Sequence, residues 1–300
     1  MAKQLLGKPV ADALHEGLLA RILSLKEHGV TPTLGILRIG ENPSDLAYER
    51  GAEKRAVSLG IAVEKALLPE NAERDEVLAA IDTLNASSGI HGVLLLRPLP
   101  KQLKPYTDEI CNRLLPDKDV DGMTAFSDAG VFEGRGNRGF APCTPAACME
   151  ILDFYGVDCT GKHAVVIGRS PVVGKPAAML LLGKNATVTV CHTKTVNLAA
   201  LCRNADIIVS SAGVLGSLTT EFVRPGQVVL DVSINRDENK PNGKGGFGAI
   251  SGDAVFSEVE PIVGAITPVP GGVGSVTTTI LMKHVVEATE RMAGLVGSAD

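Results

Sequence analysis

Short runs of nearly continuous Val, Ile and Leu recur along the 300-residue chain, and stretches with apolar residues at helical spacing separate them. Strands are predicted at 32–39, 61–68, 91–99, 162–168, 186–192, 205–213 and 226–235. Helices are predicted at 10–26, 45–59, 75–84, 145–155, 172–182 and 198–203, with a last one from about 275 to 291. Unbroken apolar strands are what a parallel sheet buried on both faces requires. Strand–helix alternation then implies right-handed βαβ units and an α/β class. The chain length suits about two domains at roughly 100–200 residues each. The stretch "VFEGRGNRGFAPCTPAA" (131–147) packs Gly, Arg and Asn ahead of its Thr144-Pro145, which reads as a helix cap followed by proline at the first helical position. The boundary is therefore expected near 140. The first domain takes 1–140 plus 276–300, the final helix returning to it, and the second takes 141–275.

Composition narrows the function classes. With 45% hydrophobic and 21% charged residues, the chain can bury real cores. A formal charge of −5, few aromatics and no Trp give neither the basic footprint nor the stacking platforms of a nucleic-acid binder, nor a basic surface for anionic membrane. Lys3, Lys8, Asp12 and Glu16 break the apolar character of the N-terminus, so it reads as neither signal peptide nor membrane span. The six cysteines form no CxxC pair and no metal-ligand spacing, so they read as reduced thiols of a cytoplasmic protein and no metal is expected.

Five stretches carry candidate chemistry. "AVVIGRSPVVGKPAAMLLL" (164–182) is a strand, a tight turn and a helix. Gly168 ends the strand, and Gly174 allows close strand–helix packing. Backbone N–H groups at the helix start suit a pyrophosphate, although an ordinary βα turn gives the same spacing. The next strand ends in Cys191, His192, Thr193 and Lys194 with no carboxylate for a ribose. Arg169 and Lys194 can instead neutralise a 2′-phosphate with Thr193 bonding it, which favours NADP over NAD; His192 alone reads as structural. "PDKDVDGMTAFSD" (116–128) imitates a calcium loop through Asp117, Asp119, Asp121, Gly122 and Asp128. Its last ligand is not Glu, and a loop carboxylate facing a polar ligand is the better reading. "GAITPVPGGVGSVTTTI" (264–280) is a rigid turn into a helix with Ser275 and Thr277 available as caps, or a glycine loop that a flat ligand can approach. Finally, "AYERGAEKRA" (47–56) reads as a solvated helix with Tyr48 on its inner edge.

Taken in order, "KDVDG", "PCTP", "VVIGRSPVVGKP", "NATVTVCHTKT", "DVSIN", "GD" at 252–253 and "ITPVPGGVGSVT" resemble the methylenetetrahydrofolate dehydrogenase/cyclohydrolase family across essentially the whole chain. The resemblance implies a three-layer α/β folate-cleft domain and a Rossmann-like dinucleotide-binding domain with a parallel sheet, usually in a homodimer. It implies oxidation of 5,10-methylenetetrahydrofolate with NADP, followed in most members by hydrolysis of the methenyl product. By motif match, Asp121 holds the pterin, with Tyr48, Leu96, Pro270, Gly271 and Gly272 at the substrate and Tyr48 and Asp121 as the catalytic pair. Gly168, Arg169, Ser170, Gly174, His192, Thr193, Ser233, Ile234 and Asn235 fall on cofactor positions, Ser233 replacing a more usual glycine.

Two departures stand out. Family members carry Tyr-x-x-x-Lys, and here Ala52 stands at the lysine position. A glutamine before "LPLP" that supports the lysine is Leu96, followed by Arg97. Lys54 points about 120° away from Tyr48 on a regular helix, and arginine is a poor base. The expectation is a dehydrogenase with weak or lost cyclohydrolase. The alternatives are the bifunctional enzyme, a two-domain NADP dehydrogenase acting on a hydroxy acid, and a non-catalytic folate or nucleotide sensor.

Overall fold

The computed structural model describes residues 1–134, 138–242 and 247–295. Residues 135–137 of the polar stretch, 243–246 of the predicted second domain and 296–300 of the predicted first domain lie outside the described residues. In chain order the elements are β1 (Lys3–Gln4), α1 (Gly7–Glu27), β2 (Thr33–Ile39), α2 (Pro43–Leu59), β3 (Ala62–Leu68), α3 (Arg74–Ala86), β4 (Gly92–Leu95), α4 (Thr107–Arg113), α5 (Ala125–Glu133) and α6 (Cys143–Phe154). They continue with β5 (His163–Ile167), α7 (Gly174–Gly183), β6 (Thr187–Cys191), α8 (Leu198–Asn204), β7 (Ile207–Ser210), β8 (Val228–Asp231), β9 (Asn235–Pro241), β10 (Phe247–Ser251), α9 (Phe256–Val259), β11 (Ala265–Ile266) and α10 (Gly274–Met292). Two compact units result: Met1–Asp12 with Thr144–Thr277, and Ala13–Cys143 with Thr278–Asp300.

The second of these units is built on a three-stranded parallel sheet in the order β3-β2-β4. Every residue of the central strand β2 is buried, because helices cover both of its faces. Leu37 and Ile39 pack with Val77, Ile81 and Leu84 of α3, and Gly35 on the same face lies against Leu84 and Ile90. On the opposite face Arg38 reaches Glu49 of α2. This is the three-layer arrangement.

Helix α2 starts where it does because Asn42 Oδ1 accepts from Ser44 N at 3.0 Å and Pro43 follows the cap. Gly60, at φ 73°, ends it. Its buried residues are Asp45, Glu49, Ala52, Ala56 and Leu59, a single stripe at three- and four-residue spacing. Two carboxylates sit in that stripe, so the helix is not simply solvated as its charges suggested. Glu49 accepts from Arg38 Nε at 2.6 Å and from Lys65 Nζ at 2.8 Å. Burial alone would raise its carboxyl pKa, but the bonds from Lys65 and Arg38 outweigh burial and hold it below the ordinary value.

The other unit carries a six-stranded sheet ordered β1-β11-β8-β7-β5-β6, with all pairs parallel. Residues 1–12 group with it because β1 extends the sheet beside β11. The path from β5 to β6 runs one way and β7 then pairs on the other side of β5, which makes the carboxyl ends of β5 and β7 a topological switch point. Strands β9 and β10 form a separate antiparallel hairpin.

Several local expectations change. Helix α6 begins at Cys143, so Thr144 and Pro145 are its second and third residues rather than cap and first residue. Helix α10 begins at Gly274, and the Thr277 hydroxyl donates back to Val273 O at 3.3 Å instead of capping the helix. None of the described helices is long and apolar enough to cross a membrane, and all six cysteines are buried free thiols.

Replacing Glu49 with Ala leaves the Arg38 guanidinium buried without its carboxylate. The expected loss is about 3 kcal/mol, read as a lower urea midpoint for this unit against the wild type.

Candidate functional site

In the three-stranded unit, "KDVDG" forms a tight turn in which the side chains have different tasks. Lys118 is buried, and its ammonium donates to Leu84 O, Asn85 O and Ser87 O at 2.9, 2.8 and 2.6 Å, closing the carboxyl end of α3. Asp119 is wholly buried and accepts from Met123 N, Thr124 N and Ser127 Oγ at 2.9, 2.8 and 2.7 Å, fixing the start of α5. Both its oxygens are committed, so it cannot serve the calcium-loop reading. The Val120 carbonyl accepts from His284 Nδ1 at 2.9 Å and from Cys143 Sγ at 3.5 Å. Gly122, at φ 66°, meets the backbone of Phe140 to Pro142, and a Cβ there would overlap it. Asp121 remains as the acid presented outward.

Around Asp121 lie Tyr48, Arg97 and Cys143. The Arg97 guanidinium stands 3.6 Å from Asp121, whose side chain keeps 20% of its surface open. Burial pushes the Asp121 carboxyl up to about 6; Arg97 opposes that and Asp119 adds to it. Tyr48 is half-buried, and its phenol is pushed well above its usual value by burial first, then by Asp121 and Cys143. The Cys143 thiol is likewise raised by burial and by Asp121. Ala52, one turn beyond Tyr48 on the same face of α2, is 0% exposed. Leu96, just past the end of β4, is also buried, whereas Lys54 is exposed. The predicted Tyr48, Leu96 and Asp121 thus belong to one unit, with Tyr48 and Asp121 electrostatically coupled.

In the six-stranded unit, Gly174 opens α7 against the Gly168 carbonyl, where a Cβ would overlap it. The Ser170 hydroxyl accepts from Val173 N at 3.1 Å and Gly174 N at 3.4 Å, so it shapes the turn. Ile167 and Cys191 are register partners, which brings the loops after β5 and β6 to one sheet edge. Arg169, Thr193 and Lys194 are all exposed there. His192 shapes its own turn, its N–H donating to Thr195 Oγ1 at 2.8 Å and its Nδ1 accepting from Lys194 N at 3.1 Å.

Asp253 organises the loops after β7 and β8. It accepts from Ser210 Oγ at 3.0 Å, Ala212 N at 2.8 Å, Val214 N at 2.9 Å, Ser233 Oγ at 2.8 Å and Asn235 Nδ2 at 3.1 Å. The polar groups of Ser233 and Asn235 are therefore engaged with protein, and Ser233 Oγ also accepts from Gly213 N at 3.1 Å. Ile234 between them is 68% exposed. Asp231 accepts from Asp253 N and Ala254 N, and burial pushes its carboxyl up to about 6 against those bonds. A cavity of about 240 Å³ brings Ser233 and Ile234 together with Pro270, Gly271 and Gly272. Its outline is apolar and glycine-walled, the shape a flat ring needs.

Sequence reasoning passed over His284, and it used Asp231, Cys143 and Asp253 only as parts of motifs. Their roles arise from partners 18 to 164 positions away, for which a single chain gives no periodic signal. Among the described residues no cluster of His, Cys, Asp or Glu could hold a metal ion.

Residues 5–121 match the family described as tetrahydrofolate dehydrogenase/cyclohydrolase, catalytic domain, and residues 142–293 match the NAD(P)-binding domain of the same description. The chain is 49% identical over 297 residues to the bifunctional protein FolD of Carboxydothermus hydrogenoformans, covering 99% of this chain and 100% of that one. It is similar to the crystal structure of the bifunctional FolD methylenetetrahydrofolate dehydrogenase/cyclohydrolase from Campylobacter jejuni, with a TM-score of 0.91, 37% identity, and 97% and 99% of the two chains covered. The Trypanosoma brucei methylenetetrahydrofolate dehydrogenase-cyclohydrolase complexed with NADP and an inhibitor is similar too, with a TM-score of 0.89, 30% identity, and 97% and 98% covered.

The buried His284 imidazole provides a pH test of the packing around Val120. Burial lowers its pKa from 6.5 to about 4. Between those values the unfolded state binds more protons, so stability falls as pH drops from 6.5 to 4, by up to roughly 3 kcal/mol. Chemical denaturation of the wild type and His284→Asn across that window should show the difference between them shrinking as pH falls.

Proposed function

The chain belongs to the tetrahydrofolate dehydrogenase/cyclohydrolase family, and from that premise we propose that it is an NADP-dependent 5,10-methylenetetrahydrofolate dehydrogenase whose cyclohydrolase step is weak or lost. The observation that carries the second half is the company of Tyr48 and Asp121. Ala52, at the lysine position, is sealed in the helix stripe. Leu96 stands at the position of the supporting glutamine. The cation that meets Asp121 is the guanidinium of Arg97, which does not give up a proton in proteins. Hydrolysis of a methenyl bridge needs a group that takes and returns protons, and neither Ala nor Arg supplies it.

The dehydrogenase half needs no such group. NADP, when bound, accepts the hydride. The turn from Gly168 to Gly174 leads into the start of α7, where the helix dipole favours a pyrophosphate, and Ser170 holds that turn by accepting from Val173, Gly174 and Lys175 N–H. Arg169, Ser170, Thr193 and Lys194 stand ready for the 2′-phosphate. His192 and Ser170 hold their turns, and Asp253 sets Ser233, Ile234 and Asn235 at the ring end through the bonds given above. Pro270, Gly271 and Gly272 wall the same cavity as Ile234 and present a flat surface against which a ring can lie. Asp121 accepts hydrogen bonds from the pterin, and Tyr48 lines the folate beside it. Catalysis of this kind is positioning and exclusion of water rather than proton transfer. Domains 1–140 plus 276–300 for the folate and 141–275 for the dinucleotide remain our assignment, in a homodimer.

The two solved structures named above carry both activities in their names, so the bifunctional enzyme is the competing reading. Purified protein incubated with 5,10-methenyltetrahydrofolate should show loss of its absorbance no faster than the buffer control. Hydrolysis well above the spontaneous rate would overturn the proposal while leaving the family intact.

A further inference from the structure

We propose that Arg97 is a positioning residue for Asp121: its guanidinium keeps that carboxylate ionised and aimed at the paired N–H donors of a pterin ring, without consuming its lone pairs. The inference rests on the function proposed above and adds a residue to it.

The geometry supports a charge contact of this kind. Arg97 Nη2 and Asp121 Oδ2 are 3.6 Å apart, too far for a hydrogen bond but close enough for strong attraction. The carboxylate is therefore held mainly by charge, and its roughly four lone-pair sites exceed what Arg97 and the Cys143 thiol can take up, leaving room for a ligand. The two side chains keep 24% and 20% of their surfaces open, so a ligand can reach the pair. A ring presenting an N–H and an amino group side by side needs two acceptors in one plane. An ionised carboxyl offers them, whereas a protonated one turns one oxygen into a donor.

The surroundings make such a cation necessary. Asp119 lies two residues away, wholly buried, and its charge disfavours a second carboxylate. Cys143 and Tyr48 face Asp121 as neutral, raised groups. The Lys118 ammonium is committed to three carbonyls at the end of α3. His284, from α10, donates to the Val120 carbonyl, and burial keeps it neutral above about pH 4. Burial already pushes the Asp121 carboxyl up to about 6, and Arg97 is the opposing charge. Removing it would carry the carboxyl toward neutral pH. Arginine's charge also does not vary with pH over any working range, so the setting is fixed rather than switched.

The test compares the wild type, Arg97→Leu and Arg97→Lys. kcat and KM for methylenetetrahydrofolate are measured from pH 5.5 to 8.5, and tetrahydrofolate binding by calorimetry over the same range. For Arg97→Leu, the expected result at pH 7 is a roughly tenfold loss in kcat/KM carried by KM. Its acidic limb should move up by about one unit, so that the deficit narrows at pH 8.5. Arg97→Lys should stay near the wild type. A merely structural role would give a deficit of the same size at every pH, and that result, or an unmoved limb with unchanged KM, would overturn the assignment. Should Arg97→Leu fail to fold, Arg97→Gln carries the same comparison. Wild-type protein that binds tetrahydrofolate with this pH dependence but forms no NADPH would overturn the dehydrogenase reading and uphold the role of Arg97.

Discussion

A buried turn has to satisfy every polar group it carries, and at residues 118–122 that requirement leaves one side chain free. Lys118 and Asp119 are both charged and both buried, a state that proteins accept only when each charge is surrounded by partners. Each makes three hydrogen bonds: Lys118 to the end of α3, and Asp119 to the start of α5. With the Val120 carbonyl shared by His284 and Cys143, and with Gly122 allowing close approach to Phe140, the turn has a single conformation. That conformation points Asp121 at Arg97 and sets it beside Tyr48. A motif with two aspartates thus uses one for architecture and leaves the other beside Arg97 and Tyr48.

The six-stranded unit solves its own placement problem with Asp253. One carboxylate accepts from two backbone amides, two hydroxyls and an amide side chain. The loops that follow β7 and β8 are therefore tied to each other at the carboxyl ends of parallel strands, where α/β sheets place their ligands. The residue between the two tethered ones, Ile234, is left exposed toward the cavity of Pro270 to Gly272. Ser233 becomes one of the tethers, and its hydroxyl bonds to Asp253 and Gly213 within the protein.

The parallel strands were legible because burial on both faces leaves an unmistakable apolar run, as at Thr33–Ile39 and His163–Ile167. The strands come out shorter than their runs at Gly92–Leu95, Ile207–Ser210 and Val228–Asp231, because their last apolar residues leave the ladder to form loops. Strands β1 and β11 are two residues each, too short for any periodicity. The hairpin strand β9 is polar and mostly exposed, and so reads as loop. Helix α2 hid its buried face because Asp45 and Glu49 lie in the stripe, their charges matched or partly matched by tertiary partners no local pattern contains. At the site, motif residues such as Gly168, Gly174 and Asp121 could be named from sequence. Their supports could not: Asp253 bonds to Ser210 43 positions away, and His284 bonds to Val120 164 positions away.

Alanine at position 52 and a fixed guanidinium beside Asp121 together carry our proposal that hydride transfer persists without efficient hydrolysis. The most direct measurement follows NADPH and 5,10-methenyltetrahydrofolate simultaneously in one reaction started with methylenetetrahydrofolate and NADP. The predicted result is equimolar accumulation of the two, with methenyl product lost only at the rate seen after the protein is removed. NADPH formation with little methenyl product, drained instead to 10-formyltetrahydrofolate in step with turnover, would contradict it.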